Sequence, residues 1–97
     1  MNELSLEWDP RKAASNAAKH GVTFEEAKTV FYDEEALVIP DPDHSKEEER
    51  FIVLGLSSEP RILVVVHCFR ETGSCIRIIS ARKAGTREQK PYREKQS

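Results

Sequence analysis

At 97 residues, 38% hydrophobic and 33% charged, the chain has apolar content for one modest core and too much for a disordered tail. Its longest apolar run, Ile62 to Val66, is far too short to cross a bilayer. Met1-Asn2-Glu3 opens no basic or apolar signal region, so a cytoplasmic location is expected. The net charge of −2 conceals a split: residues 1–49 hold 5 Lys/Arg against 13 Asp/Glu, and residues 50–97 hold 10 against 4. Such asymmetry points to a polyanion or an acidic protein as partner of the basic half, or to halves that neutralise each other in the fold.

Leu4, Leu6 and Trp8 alternate with Ser5 and Glu7, which predicts a short strand with one buried face. Asp9-Pro10 starts a helix: Asp9 can accept from free backbone N–H groups, and Pro10 suits the first helical position. The helix runs to Lys19 or His20, where Gly21 can take the left-handed conformation that ends it. Thr23-Phe24-Glu25-Glu26 has the form of a capping box, so a second helix begins at once and reaches about Tyr32. Ala36 to Ile39 is a short strand, and Pro40 to Glu49 an acidic loop that reads as a solvated linker. Three strands follow, Arg50 to Leu56, Arg61 to Phe69 and Cys75 to Lys83. The turns between them, Ser57 to Pro60 and Arg70 to Ser74, suit hairpins, so these strands form an antiparallel meander. Thr86 and Gln89 offer caps for a tail helix, but Pro91 would fall inside it, which predicts a short or broken helix. The order is β-α-α-β-β-β-β-α in a single domain over residues 1–97. It implies an α+β fold, with the two front helices on one face of the sheet and the other face open or half covered.

Cys68 and Cys75 are the only cysteines and read as reduced packing thiols; with three scattered histidines they make no metal-ligand spacing, and no cofactor is expected. The cations of the last strand carry more information. In a regular strand Arg77, Ile79 and Ala81 alternate with Ile76, Ile78, Ser80 and Arg82, so Arg77 and Arg82 leave opposite faces unless the strand bends. Arg50 opens the first meander strand and His67 lies near the end of the second, in a register that sequence leaves open. Arginine makes planar, paired contacts to phosphate, and histidine exchanges protons near neutral pH. Arg, His, Glu and Tyr together suit metal-free cleavage of RNA, with a base on the 2′-hydroxyl, arginines on the phosphorane and an acid on the leaving oxygen. The plainer alternative is a basic sheet edge with surface salt bridges. On that view His20 serves the end of its helix, Trp8 and Phe24 are core, His44 is solvated, Tyr92 packs on the sheet and Glu88 pairs with a nearby cation.

The segments WDPRKAASNAAKHGVTFEEA, DPDHSKEEERFIVLG and RIISARKAGTREQKPY, in that order and over nearly the whole chain, resemble the BrnT family of bacterial toxins. The resemblance implies a fold like the RelE ribonucleases, cleavage of RNA, and no membrane association. It also implies a partner: a BrnA-like antitoxin with a ribbon-helix-helix domain, whose dimerisation gives a heterotetramer. That complex represses its own operon, so operator DNA is bound only through the antitoxin. Carried over position by position, the motif residues are Lys19 and His20, Arg50, Arg77 and Arg82, then Glu88 and Tyr92 of the tail, with His67 at a frequent family position. The implied catalytic set is Arg77, Arg82, Arg50, His67, Glu88 and Tyr92, and the implied RNA contacts are Lys19, His20, Lys83 and Arg87. The chain departs from the family at Ala84-Gly85, where Ala-Thr is usual, and at Pro91, just before the tyrosine. The rival from another class is a non-catalytic module whose basic face holds an acidic partner.

Overall fold

The computed structural model of the chain describes residues 4–41, 49–70 and 73–96. Its elements are β1 (Leu6–Glu7), α1 (Pro10–His20), α2 (Phe24–Val30), β2 (Leu37–Pro40), β3 (Phe51–Leu56), β4 (Ile62–Arg70), β5 (Cys75–Lys83) and α3 (Lys90–Lys95), in the expected order. Among the described residues they build one five-stranded sheet in the order β1-β5-β4-β3-β2. Strands β2 to β5 are the antiparallel meander, and β1 adds to β5 in parallel, so the sheet is mixed. Met1-Asn2-Glu3, most of the acidic loop with His44, and Glu71-Thr72 of the last turn lie outside the described residues.

The helix ends follow local chemistry. Asp9 Oδ1 accepts from Arg11 N at 2.8 Å, and Gly21, at φ 69°, donates its N–H to Ala17 O at 2.9 Å. Thr23 Oγ1 accepts from Glu26 N at 3.0 Å, but the box is only half made. The Glu26 carboxylate turns inward instead. There it pairs with Arg61, whose Nε donates at 3.0 Å, and accepts from Ser57 Oγ at 2.6 Å. A buried carboxylate needs such partners, and Arg61, the largest influence, holds it ionised below the usual range.

The main core lies between the sheet and α1–α2. Val22, Phe24, Ala27 and Val30 pack on Val53, Leu63, Val65, Ile78 and Ala81, with Trp8 edge-on to Phe24 at 5.9 Å. Gly55 lets α2 come this close: a Cβ there would lie 2.8 Å from Val30 Cγ1. The second face is half covered. Tyr92 of α3 closes a smaller cluster with Ile62, Val64 and Ala84, against Ile52 and Leu54. Pro91 falls in the first turn of α3, where the missing N–H breaks no helical hydrogen bond.

One irregularity determines what this second face carries. On β4, Val66 opposes Ser80 while the next residue, His67, opposes Ile78; Ile79 is the extra residue of a bulge. The bulge reverses the alternation within β5. Arg77 lies opposite Cys68 and Arg82 opposite Val64, and Cys68 and Val64 are four apart on a regular strand. Arg77 and Arg82 therefore share the second face, where simple alternation would have set them on opposite faces. His67, opposite both Phe51 and Ile78, belongs to the helix face.

Candidate functional site

Both arginines of the second face are held by carboxylates from opposite ends of the chain. Arg77 Nη1 donates to Glu7 Oε2 at 2.6 Å, a contact that exists because β1 sets Glu7 beside Arg77 in the sheet. Arg82 makes a two-pronged pair with Glu88, Nη1 to Oε1 and Nη2 to Oε2, each at 2.7 Å. Glu88 Oε1 also accepts from Gly85 N at 2.8 Å. Arg82, then the Gly85 N–H, drive the Glu88 carboxyl down to about 2. Glu7 is likewise lowered, chiefly by Arg77. Both arginines remain accessible, with 31% of the Arg77 and 44% of the Arg82 side chain exposed. Arg50 immediately precedes Phe51, so alternation puts it on this same face, in the row of Cys68 and Arg77.

Beyond the two residues of β1, α1 covers the outer edge of β5. Asn16 fastens it there: its side-chain amide donates to Ala81 O at 2.8 Å and to Val22 O at 2.9 Å, and its Oδ1 accepts from Ala81 N at 3.0 Å. A shallow groove remains along this edge, lined by Lys12, Ser15, Asn16, Lys19, His20, Ile79 and Ser80. Lys19 and His20 thus meet β5 at Ser80, between Arg77 and Arg82 in sequence. Lys83 and Arg87 lie elsewhere: Lys83 lines a hollow beside α3 with Arg61 and Arg93, and Arg87 an exposed shoulder with Lys90 and Arg93.

The remaining two residues suggested by sequence have structural surroundings. Tyr92 is 2% exposed, and its hydroxyl donates to Asp33 Oδ2 at 2.6 Å. Burial, then the hydrogen bond to Asp33, push the phenol up to about 12. Asp33 also accepts from Leu56 N at 2.8 Å and Glu35 N at 3.0 Å, so the pair ties α3 to the ends of α2 and β3. His67 is 2% exposed, with its ring among those of Phe31, Phe51 and Phe69 at 4.9–6.1 Å. Burial lowers its pKa and keeps the ring neutral. His67 lies on the opposite, helix face of the sheet. Tyr92 packs on the arginine face itself, against Val64 opposite Arg82, but its hydroxyl is engaged by Asp33. Glu7, Asn16 and Asp33 carry no local sign of their roles, and Glu26 reads locally as a capping residue; for all four the defining partner lies far along the chain.

Among the described residues no three His, Cys, Asp or Glu side chains converge as metal ligands, and Cys68 and Cys75 are free thiols. The face instead gathers fixed cations around a strand, an arrangement suited to binding a phosphodiester and offsetting negative charge that develops on it. No helix among the described residues is long and apolar enough to cross a membrane.

The family model described as ribonuclease toxin, BrnT, of type II toxin–antitoxin system matches residues 8–88. Among solved structures, the crystal structure of the Brucella abortus ribonuclease toxin, BrnT, superposes with a TM-score of 0.66 at 23% sequence identity, covering 87% of this chain and 100% of that one. That likeness shows that the α+β fold of this chain is shared with that toxin. No curated protein matches the sequence. The family match spans well over half the chain, and the chain belongs to the BrnT family of ribonuclease toxins of type II toxin–antitoxin systems.

Proposed function

We propose that the protein is a metal-independent endoribonuclease that stops growth by cleaving RNA, with Arg77 and Arg82 as the phosphate-binding pair and Arg50 in support. The observation that carries this reading is the bulge at Ile79, through which both arginines arrive on one accessible face. An attacking 2′-hydroxyl gives its proton to a base, forms the new P–O bond, and the P–O5′ bond breaks as the leaving oxygen takes a proton. The products are a 2′,3′-cyclic phosphate and a 5′-hydroxyl. Two arginines, charged at every working pH, offset the charge on the phosphorane. Glu88, ionised down to about 2, is too weak a base and too strong an acid for proton transfer near neutral pH and suits a guanidinium clamp. His20, in the groove that meets Ser80, is better situated for proton transfer than His67, which is enclosed by aromatic rings.

As a member of a type II toxin–antitoxin family the protein has an antitoxin partner. In this proposal the partner is BrnA-like, joins through its own dimer into a heterotetramer, covers the basic half, and carries the complex to operator DNA. The competing reading, a binding module without catalysis, draws on the fact that both arginines are already paired with carboxylates. Protein freed of its partner and incubated with RNA in excess EDTA separates the two. Cleaved RNA supports the nuclease; RNA that stays intact both in EDTA and with divalent cations supports the binding module; cleavage only with divalent cations overturns metal independence.

A further inference from the structure

Ser80 occupies a special place on the arginine face. Its partner across the sheet, Val66, lies midway between Cys68, opposite Arg77, and Val64, opposite Arg82. At about 3.3 Å per residue, Ser80 is therefore about 7 Å along the sheet from each arginine row. It is half-buried, and its hydroxyl has no hydrogen-bond partner among the described residues. Val66 beside it on β4 is half-buried too and lies outside both apolar clusters. The same serine lines the α1–β5 groove, whose other walls present Lys12, Lys19 and His20. Lys12 and Lys19 are seven residues apart, two helical turns, and so project from one side of α1.

We propose that Ser80 is a substrate-contact residue, donating its hydroxyl to a phosphate or ribose oxygen of RNA seated between Arg77 and Arg82, and that the strand leaves this point along the α1–β5 groove past Lys12 and Lys19. This rests on the ribonuclease reading and adds a residue and a path to it. Two arginines whose side chains are long and flexible bracket an anion from the sides, and a short, rigidly mounted hydroxyl between them fixes its height over the sheet. The carboxylates facing this point, Glu7 and Glu88, already occupy part of each guanidinium. An arginine has five N–H donors, so Arg77 retains donors for a phosphate, and Arg82, with its Nη1/Nη2 fork on Glu88, retains its Nε–H and a second Nη2–H.

Ser80→Ala, Ser80→Thr and Ser80→Asp test the contact, each checked for folding by circular dichroism. Binding is read by fluorescence anisotropy with a single-stranded RNA carrying one 2′-deoxy residue at the mapped cut site. Cleavage is read on its all-ribose counterpart. Ser80→Ala lowers kcat/KM roughly tenfold or more, the effect of one hydrogen bond to a charged group, and Ser80→Thr, which keeps the hydroxyl, restores most of it. Ser80→Asp sets a negative charge where the phosphate sits and abolishes binding. Lys12→Ala and Lys19→Ala each reduce the slope of log affinity against log salt by about 0.7, one single-strand phosphate contact. The proposal is overturned if folded Ser80→Asp binds the RNA as wild type does, or if Ser80→Ala cleaves as well as Ser80→Thr. Either result with intact wild-type cleavage leaves the ribonuclease reading standing. A wild type that binds but never cuts refutes that reading, while the Ser80→Asp binding result still decides the contact.

Discussion

Replacing Tyr92 by Phe separates two roles that the sequence could not distinguish. The phenol donates to Asp33 at 2.6 Å from a buried site, and a hydrogen bond to a charged acceptor contributes about 1.5–3 kcal/mol. Asp33 keeps the N–H groups of Leu56 and Glu35 after the change, so the lower figure applies, about 1.5 kcal/mol. For a domain of this size that lowers Tm by roughly 6–12 °C. The ring stays to fill the cluster of Ile62, Val64 and Ala84, so α3 remains docked. Were the phenol the general acid, its loss would cost roughly 10²–10⁴-fold in rate. Thermal melts read with RNA cleavage well below the transition decide between these roles. A structural phenol gives a lower Tm and cleavage within about threefold of wild type, far short of the loss of a general acid. An unchanged Tm with cleavage reduced a hundredfold would refute the structural assignment. The raised phenol pKa adds a signature: wild-type stability from this group is complete below the ordinary value of 10 and is lost as pH rises towards about 12, and Tyr92→Phe lacks that loss.

His67→Phe should retain cleavage, because the ring faces Phe31, Phe51 and Phe69 and not the arginines. Its lowered pKa means the unfolded chain takes up a proton first as pH falls below 6.5, so wild-type Tm should drop between pH 7.5 and 5.5 by more than that of His67→Phe; equal drops would show that the buried ring does not titrate as described. Arg77→Ala and Arg82→Ala should each lose on the order of 100-fold or more in cleavage while remaining folded, with the lysine versions only partly active because an ammonium lacks the fork. A folded alanine variant that still arrests growth removes that arginine from the mechanism.

The features legible in the sequence are those written in neighbouring residues. Asp9-Pro10, Gly21 and Thr23 fix the helix ends through contacts within four positions, and the meander follows from three apolar runs separated by short turns. The bulge at Ile79 left no such mark. One more β-branched residue in Cys75–Lys83 looks the same in sequence whether it is paired or extra, yet it decides whether Arg77 and Arg82 diverge or share a face. The parallel addition of β1 was equally hidden, and with it the Glu7–Arg77 pair across seventy positions. Glu26 misled for a physical reason: a glutamate at that helical position satisfies the capping pattern, but Arg61, folded beside it, is the stronger partner. Similarity supplied Tyr92 and His67 as candidates by residue type, and burial gives both of them other surroundings.

The central claim is that RNA supplies its own nucleophile on a metal-free arginine face. The most direct measurement uses one RNA oligonucleotide in two forms, all-ribose and with a single 2′-deoxy residue at the mapped cut site, both in excess EDTA. With internal attack, the all-ribose strand is cut to a 2′,3′-cyclic phosphate and a 5′-hydroxyl, and the substituted strand binds and stays whole at that bond. Cutting of the substituted strand at the same bond would contradict internal attack and require a water-activating site elsewhere in the protein.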